Sequence, residues 1–126
     1  MIWESHIKNL FKSQINKPCM YLVCLIISEL YEYCIWYIHQ YSEYKNIKLN
    51  DLKRFCDDKG IDKANLKSWY DLRNTTLHAP FNLKDRYVVT VINSDVFKEL
   101  LYVCLKDLRI YDDIICNYSL WLNVGL

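Results

Sequence analysis

Arg73 and His78, in the run Leu72-Arg73-Asn74-Thr75-Thr76-Leu77-His78-Ala79-Pro80, are the residues of this chain whose types and spacing most suggest chemistry. Arg73 is a permanent cation whose planar fork matches phosphate oxygens. His78 is the one nearby side chain that gives and takes protons near neutrality at its ordinary pKa. Asn74 lies four residues before His78 on the same helix face, where it can orient the ring. Five helical steps separate Arg73 from His78 by about 140°, too wide for one narrow face. A common pocket then requires the helix end to loosen ahead of Pro80 and carry the imidazole round, since proline disfavours helix at the residue before it.

A second polar set belongs to an earlier helix. Glu29, Glu32 and His39 recur at steps of three and seven with Trp36 between them, which lines them along one face. Structural roles stand beside the catalytic ones. Arg73 can pair with Glu29, Glu32 or Asp71 as a buried cation, and His78 can sit against the negative end of a helix. For Glu29 and Glu32 a salt bridge between helices is the expectation. His6 and His39 read as ordinary surface or interface histidines.

The positioning elements read as helices. A first runs from about 2 to 15 and is interrupted at Asn16-Lys17-Pro18; Pro18 then opens a long second helix to about Tyr44. The first half of that second helix is apolar on nearly every side, which places it at the centre. Asn50 is the expected cap of a helix over Asp51–Lys59 that ends at Gly60, and Asp62 that of one from Lys63 to about His78. In the latter, Leu66, Trp69, Tyr70, Arg73 and Leu77 form the expected inner stripe. The segment 81–92 contains the β-branched run Val88-Val89-Thr90-Val91-Ile92, which is expected to be an ordered non-helical connection. Asn93 or Ser94 caps a helix to about Arg109, with Val96, Leu100, Val103, Cys104 and Leu108 inward, and a short helix from Asp112 to about Leu122 closes the bundle.

Composition bounds the answer. The chain has 126 residues, only two glycines and two prolines, and 52% hydrophobic residues. That allows one domain, an all-α compact bundle of about five helices, since β architectures need many Gly- and Pro-built turns. A formal charge of +1 excludes a global basic field, so an anionic partner must be held by a local cluster. Eleven tyrosines and four tryptophans are many for so small a core and point to a homodimer. Cys19, Cys24, Cys34, Cys56, Cys104 and Cys116 include no CxxC pair and no zinc spacing, and no secretory leader is recognisable. Free buried thiols in a reducing cytoplasm, with no metal and no cofactor, are expected. Residues 19–38 start apolar enough for a membrane span, but Glu29 and Glu32 would each cost several kcal/mol in hydrocarbon, so no membrane partner is expected.

An arginine followed by a polar residue, three further residues and a histidine, at the end of a bundle helix, resembles the signature of HEPN domains. The close match covers Arg73 to His78, and the order of the helices is loosely similar over most of the chain. HEPN domains are small all-α proteins, commonly homodimers, and many are metal-independent ribonucleases of toxin–antitoxin, phage-defence and CRISPR systems. The resemblance implies an endoribonuclease acting on an RNA substrate, with Arg73 and His78 catalytic in a composite site at a homodimer cleft. Asn74, Glu29 and Glu32 would support them, and an antitoxin protein is a possible partner. In HEPN toxins paired with MNT nucleotidyltransferases a modified tyrosine stands two residues after the histidine; here Pro80 stands there, which argues against that pairing. Two other readings remain: a non-catalytic HEPN-type module binding RNA, a nucleotide or a protein partner, and a purely structural helical dimerisation protein.

Overall fold

The computed structural model describes residues 20–40 and 48–106, together with Ser5 and Asp112. The helices expected over 2–15 and 112–122, the break at 16–18, and Leu108 therefore lie outside the described residues, save for Ser5 and Asp112. The described elements are all helical: α1 (Met20–Ile38), α2 (Lys48–Lys59), α3 (Leu66–His78), a 3₁₀ turn (Pro80–Asn82), α4 (Asp85–Asn93) and α5 (Asp95–Leu105). They pack as an all-α bundle.

α1 is the central element. Val23, Cys24, Ile26, Ile27, Leu30, Tyr31, Cys34 and Ile38 are fully buried and point in several directions, as expected of a helix apolar on most sides. It packs most extensively on α3 and also on α5 and α2, while α4 bridges α3 and α5. Ser28, in the middle of the apolar run, is tolerated because its hydroxyl donates to Cys24 O at 2.7 Å. No helix among the described residues is long and apolar enough to cross a membrane.

α2 buries Leu52, Phe55 and Cys56 at steps of three and four. It starts two residues before the expected cap, so Asn50 lies inside its first turn. Its end is as expected: Gly60 has φ +70°, its N–H donates to Asp57 O, and Ile61 N–H reaches Cys56 O at 2.8 Å. The buried Ile61 then anchors the chain beyond the turn. Asp62, expected to cap α3, instead accepts from Ala64 N–H at 3.0 Å, a local turn. Asn65 follows with φ 69°, and the helix begins only at Leu66.

In α3 the buried residues are Leu66, Trp69, Leu72 and Thr76, with Tyr70 and Arg73 half-buried. Leu77 departs from the expected inner stripe, being 48% exposed. The inner face is rotated toward Leu72 and Thr76, and Thr76 is acceptable there because its hydroxyl donates to Leu72 O at 2.7 Å.

The segment 81–92 corrects the expected non-helical connection. It comprises the 3₁₀ turn and then a two-and-a-half-turn helix. Val88, Val91 and Ile92, at i, i+3 and i+4, are all fully buried. Burying three such side chains contributes several kcal/mol, whereas β-branched residues lose only a few tenths each in helix propensity. Ser94 ends α4 and caps α5, its Oγ accepting from Phe97 N–H and donating to Val91 O. From there Val96, Phe97, Leu100, Leu101, Cys104 and Leu105 face the core.

Candidate functional site

Trp69 sets the geometry from which the motif projects. Fully buried, its indole N–H donates to Ile27 O on α1 at 3.0 Å, and its ring meets Tyr31 and Phe97 edge-to-face at 5.6 and 5.0 Å. Tyr31 also lies against Tyr70, and one turn beyond Trp69 Arg73 meets Glu32. These contacts advance along both helices together, so α1 and α3 run in the same sense where they meet.

At this seam Arg73 Nη2 lies 2.5 Å from Glu32 Oε1, and Nη1 donates to Asn74 Oδ1 at 2.8 Å. Of the two acidic candidates, Glu32 is thus the one brought to Arg73. Glu29, half-buried a turn earlier, forms no ion pair with a described residue. Asn74 turns its carbonyl to Arg73 rather than to the His78 ring. The ion pair is a charge contact without the alignment of a full hydrogen bond: Glu32 Oε1, Arg73 Nε and Tyr31 Oη are all buried without a hydrogen-bond partner among the described residues. Burial, and next the charge of Glu32, hold the Tyr31 phenol well above its ordinary pKa, so it stays protonated.

His78 is elsewhere. α3 stays regular to its last residue, and Ala79 N–H still donates to Thr75 O at 2.9 Å. The helix end does not loosen ahead of Pro80, because the backbone bend falls on Ala79, after the imidazole. His78 is exposed, about 140° round the helix from Arg73. Within one chain the two motif residues address different surfaces.

On the side of α3 away from Arg73 runs a groove of about 490 Å³ between α3 and α4, lined by Ser68, Asp71, Leu72 and Thr75 on one wall and Tyr87 and Thr90 on the other. His78 stands three residues after Thr75 and seven after Asp71, so it extends the same strip of α3. The groove thus lies on the side of α3 turned toward His78 and away from Arg73. Arg86 stacks over the Tyr87 ring at 5.1 Å and donates to its hydroxyl at 3.3 Å; that hydrogen bond lowers the phenol's pKa. No feature of the sequence reading pointed to this groove, because it depends on 85–93 being a helix.

A further pair was also missed. His39 Nε2 lies 3.1 Å from Oδ2 of the buried Asp51, tying the end of α1 to the start of α2, with Arg54 3.9 Å from the other carboxylate oxygen. This is a structural link rather than the ordinary surface role expected of His39. Cys24, Cys34, Cys56 and Cys104 are buried and outside any disulfide, and burial pushes the Cys56 thiol up to about 12 and the Cys34 thiol well above its ordinary value. The Cys34 and Cys56 thiols are therefore poor nucleophiles. Cys19 and Cys116 lie outside the described residues. No group of three or more His, Cys, Asp or Glu residues among those described is disposed to hold a metal ion.

Compared with protein-family models, with curated proteins and with solved structures, the chain matches none.

Proposed function

We propose that this protein is a metal-independent endoribonuclease of HEPN type, with Arg73 and His78 in a composite site between two copies of the chain. The observation that carries the reading is the divergence of the two residues about one helix: Arg73 is held at the α1–α3 seam and His78 stands open on the opposite side. A two-fold arrangement whose interface reaches both surfaces, so that Arg73 of each copy meets His78 of the other, makes two equivalent sites. One copy alone is then inactive.

The chemistry follows from RNA carrying its own nucleophile. His78 accepts the proton of the 2′-hydroxyl, the 2′-oxygen bonds to phosphorus, and the 5′-oxygen departs and takes up a proton. Arg73 neutralises charge on the phosphorane-like transition state. Glu32 and Asn74 keep its guanidinium in place. The biological setting this implies is growth arrest or phage defence, with an antitoxin protein as a possible partner. The Glu32 ion pair also favours a second reading, a non-catalytic module in which Arg73 is structural.

Cleavage of RNA in excess EDTA, leaving a 2′,3′-cyclic phosphate or its opened product, tests the proposal. Arg73→Ala and His78→Ala should each abolish it, and mixing the two inactive variants should restore part of it through hybrid dimers. Variants that melt early yet keep their specific activity would remove Arg73 and His78 from the site.

A further inference from the structure

We propose that the groove between α3 and α4 is a ribonucleotide subsite that seats the nucleoside beside His78. This deepens the ribonuclease reading and rests on it for the choice of ligand. The groove's own chemistry makes the case. Its volume of about 490 Å³ falls within the range of small-molecule sites. Its walls present hydroxyls from Ser68, Thr75, Tyr87 and Thr90 and one carboxylate, Asp71, a set suited to the hydroxyls of a sugar.

Tyr87 is 44% exposed although aromatic, and offers a face on which any base can stack. Cations stand beside two of the lining side chains. Arg86 lies over Tyr87, Lys84 is near enough to bear on the phenol, and Lys67 on the facing helix pairs with Asp71 at 3.2 Å. A hydroxylated, apolar-faced and anionic ligand satisfies all three features, and a ribonucleotide has all three. His78, further along the strip that carries Asp71 and Thr75, then stands toward the phosphate end of the bound nucleotide.

The arrangement assigns roles. Asp71 accepts from a ribose hydroxyl, Tyr87 stacks on the base, and Arg86 faces the phosphate. Adenosine 3′-monophosphate, its 2′-deoxy counterpart and inorganic phosphate, titrated into the full chain and followed by NMR chemical shifts, test them. The ribonucleotide should saturate, with shifts centred on 68–75 and 86–90, and should bind about tenfold more tightly than the deoxy form, the factor that loss of one hydrogen bond to a charged group corresponds to. Tyr87→Leu should weaken it by about tenfold or more, as loss of one base stack does, and Asp71→Asn should abolish the ribose preference. Both side chains are at the surface, so the variants fold.

No saturable shift, or equal binding by phosphate alone with no effect of Tyr87→Leu, overturns the subsite. Binding without RNA cleavage would sink the ribonuclease reading and leave the subsite standing. Cleavage without mononucleotide binding would do the reverse.

Discussion

The two sides of α3 solve different problems. On one, Arg73 is clamped between Glu32 and Asn74 one turn beyond a fully buried tryptophan, and three polar atoms are buried without a hydrogen-bond partner among the described residues. On the other, hydroxyls and an exposed tyrosine line an open groove, with the exposed His78 further along the same strip of α3, and make no comparable demand on the core. The difference teaches that a six-residue motif need not be one physical unit. Arg73 is coupled to folding and His78 is not, so only the histidine reports on chemistry without a correction for stability.

The sharpest way to break this contrast is at Trp69. Trp69→Ala should cost about 3–5 kcal/mol, the usual penalty for removing a large buried aromatic, whereas Trp69→Phe should cost far less; urea denaturation compares them. Arg73→Ala comes next. It strands Glu32, but that carboxylate keeps 35% exposure, so solvent limits the loss to about 1–3 kcal/mol. Adding Glu32→Gln should recover much of it, and a double mutant no more stable than Arg73→Ala would show that the ion pair does not hold the seam.

The buried core should also respond to alkali. A thiol or phenol whose pKa is raised by folding contributes stability that is complete below its unfolded pKa and is lost as pH rises. Cys56 moves from 9.0 to about 12 and Tyr31 upward from 10.0, so the fold should weaken above about pH 9, by up to about 1.4 kcal/mol per pH unit for each group. Tyr31→Phe should reduce the slope above pH 10 to the share of the buried thiols. Below pH 9 it should change stability by less than about 1 kcal/mol, because the lost hydroxyl has no hydrogen-bond partner among the described residues. Urea midpoints across this range decide both points. The smallest effect on stability belongs to the groove side: His78→Ala should stay within about 0.5 kcal/mol of wild type by thermal melting, while removing RNA cleavage.

The readability of the molecule follows the same division. α1, α2, α3 and α5 were legible because Ile, Leu, Phe and Trp recur at helical steps and Gly60 and Ser94 mark boundaries. α4 was not, because Val88, Val91 and Ile92 carry both a β-branched preference and a helical period, and packing against α3 and α5 decides between them. The pairing of Arg73 with Glu32 was among the alternatives open from residue types alone. The direction in which His78 points was not, since it turns on whether the helix yields before or after Ala79. The His39–Asp51 link was hidden for a related reason. Asp51 reads as a first-turn acid, and nothing local reveals that its carboxylate is buried under another helix.

Ser94 has a consequence for how the chain tolerates change in length. It closes one helix and opens the next with no residue to spare, its side chain bonded to both and 5% exposed. An inserted residue there has nowhere to go: it would turn every later core position of α5 by about 100°. The stretch from Asp62 to Asn65 is exposed and its hydrogen bonds reach only near neighbours in the chain, from Asp57 to Trp69, so it absorbs the same insertion as a longer surface turn. Permissive and forbidden junctions thus lie at the two ends of the helical run that carries the groove, and a split or permuted form of the protein has to be opened at the first and never at the second.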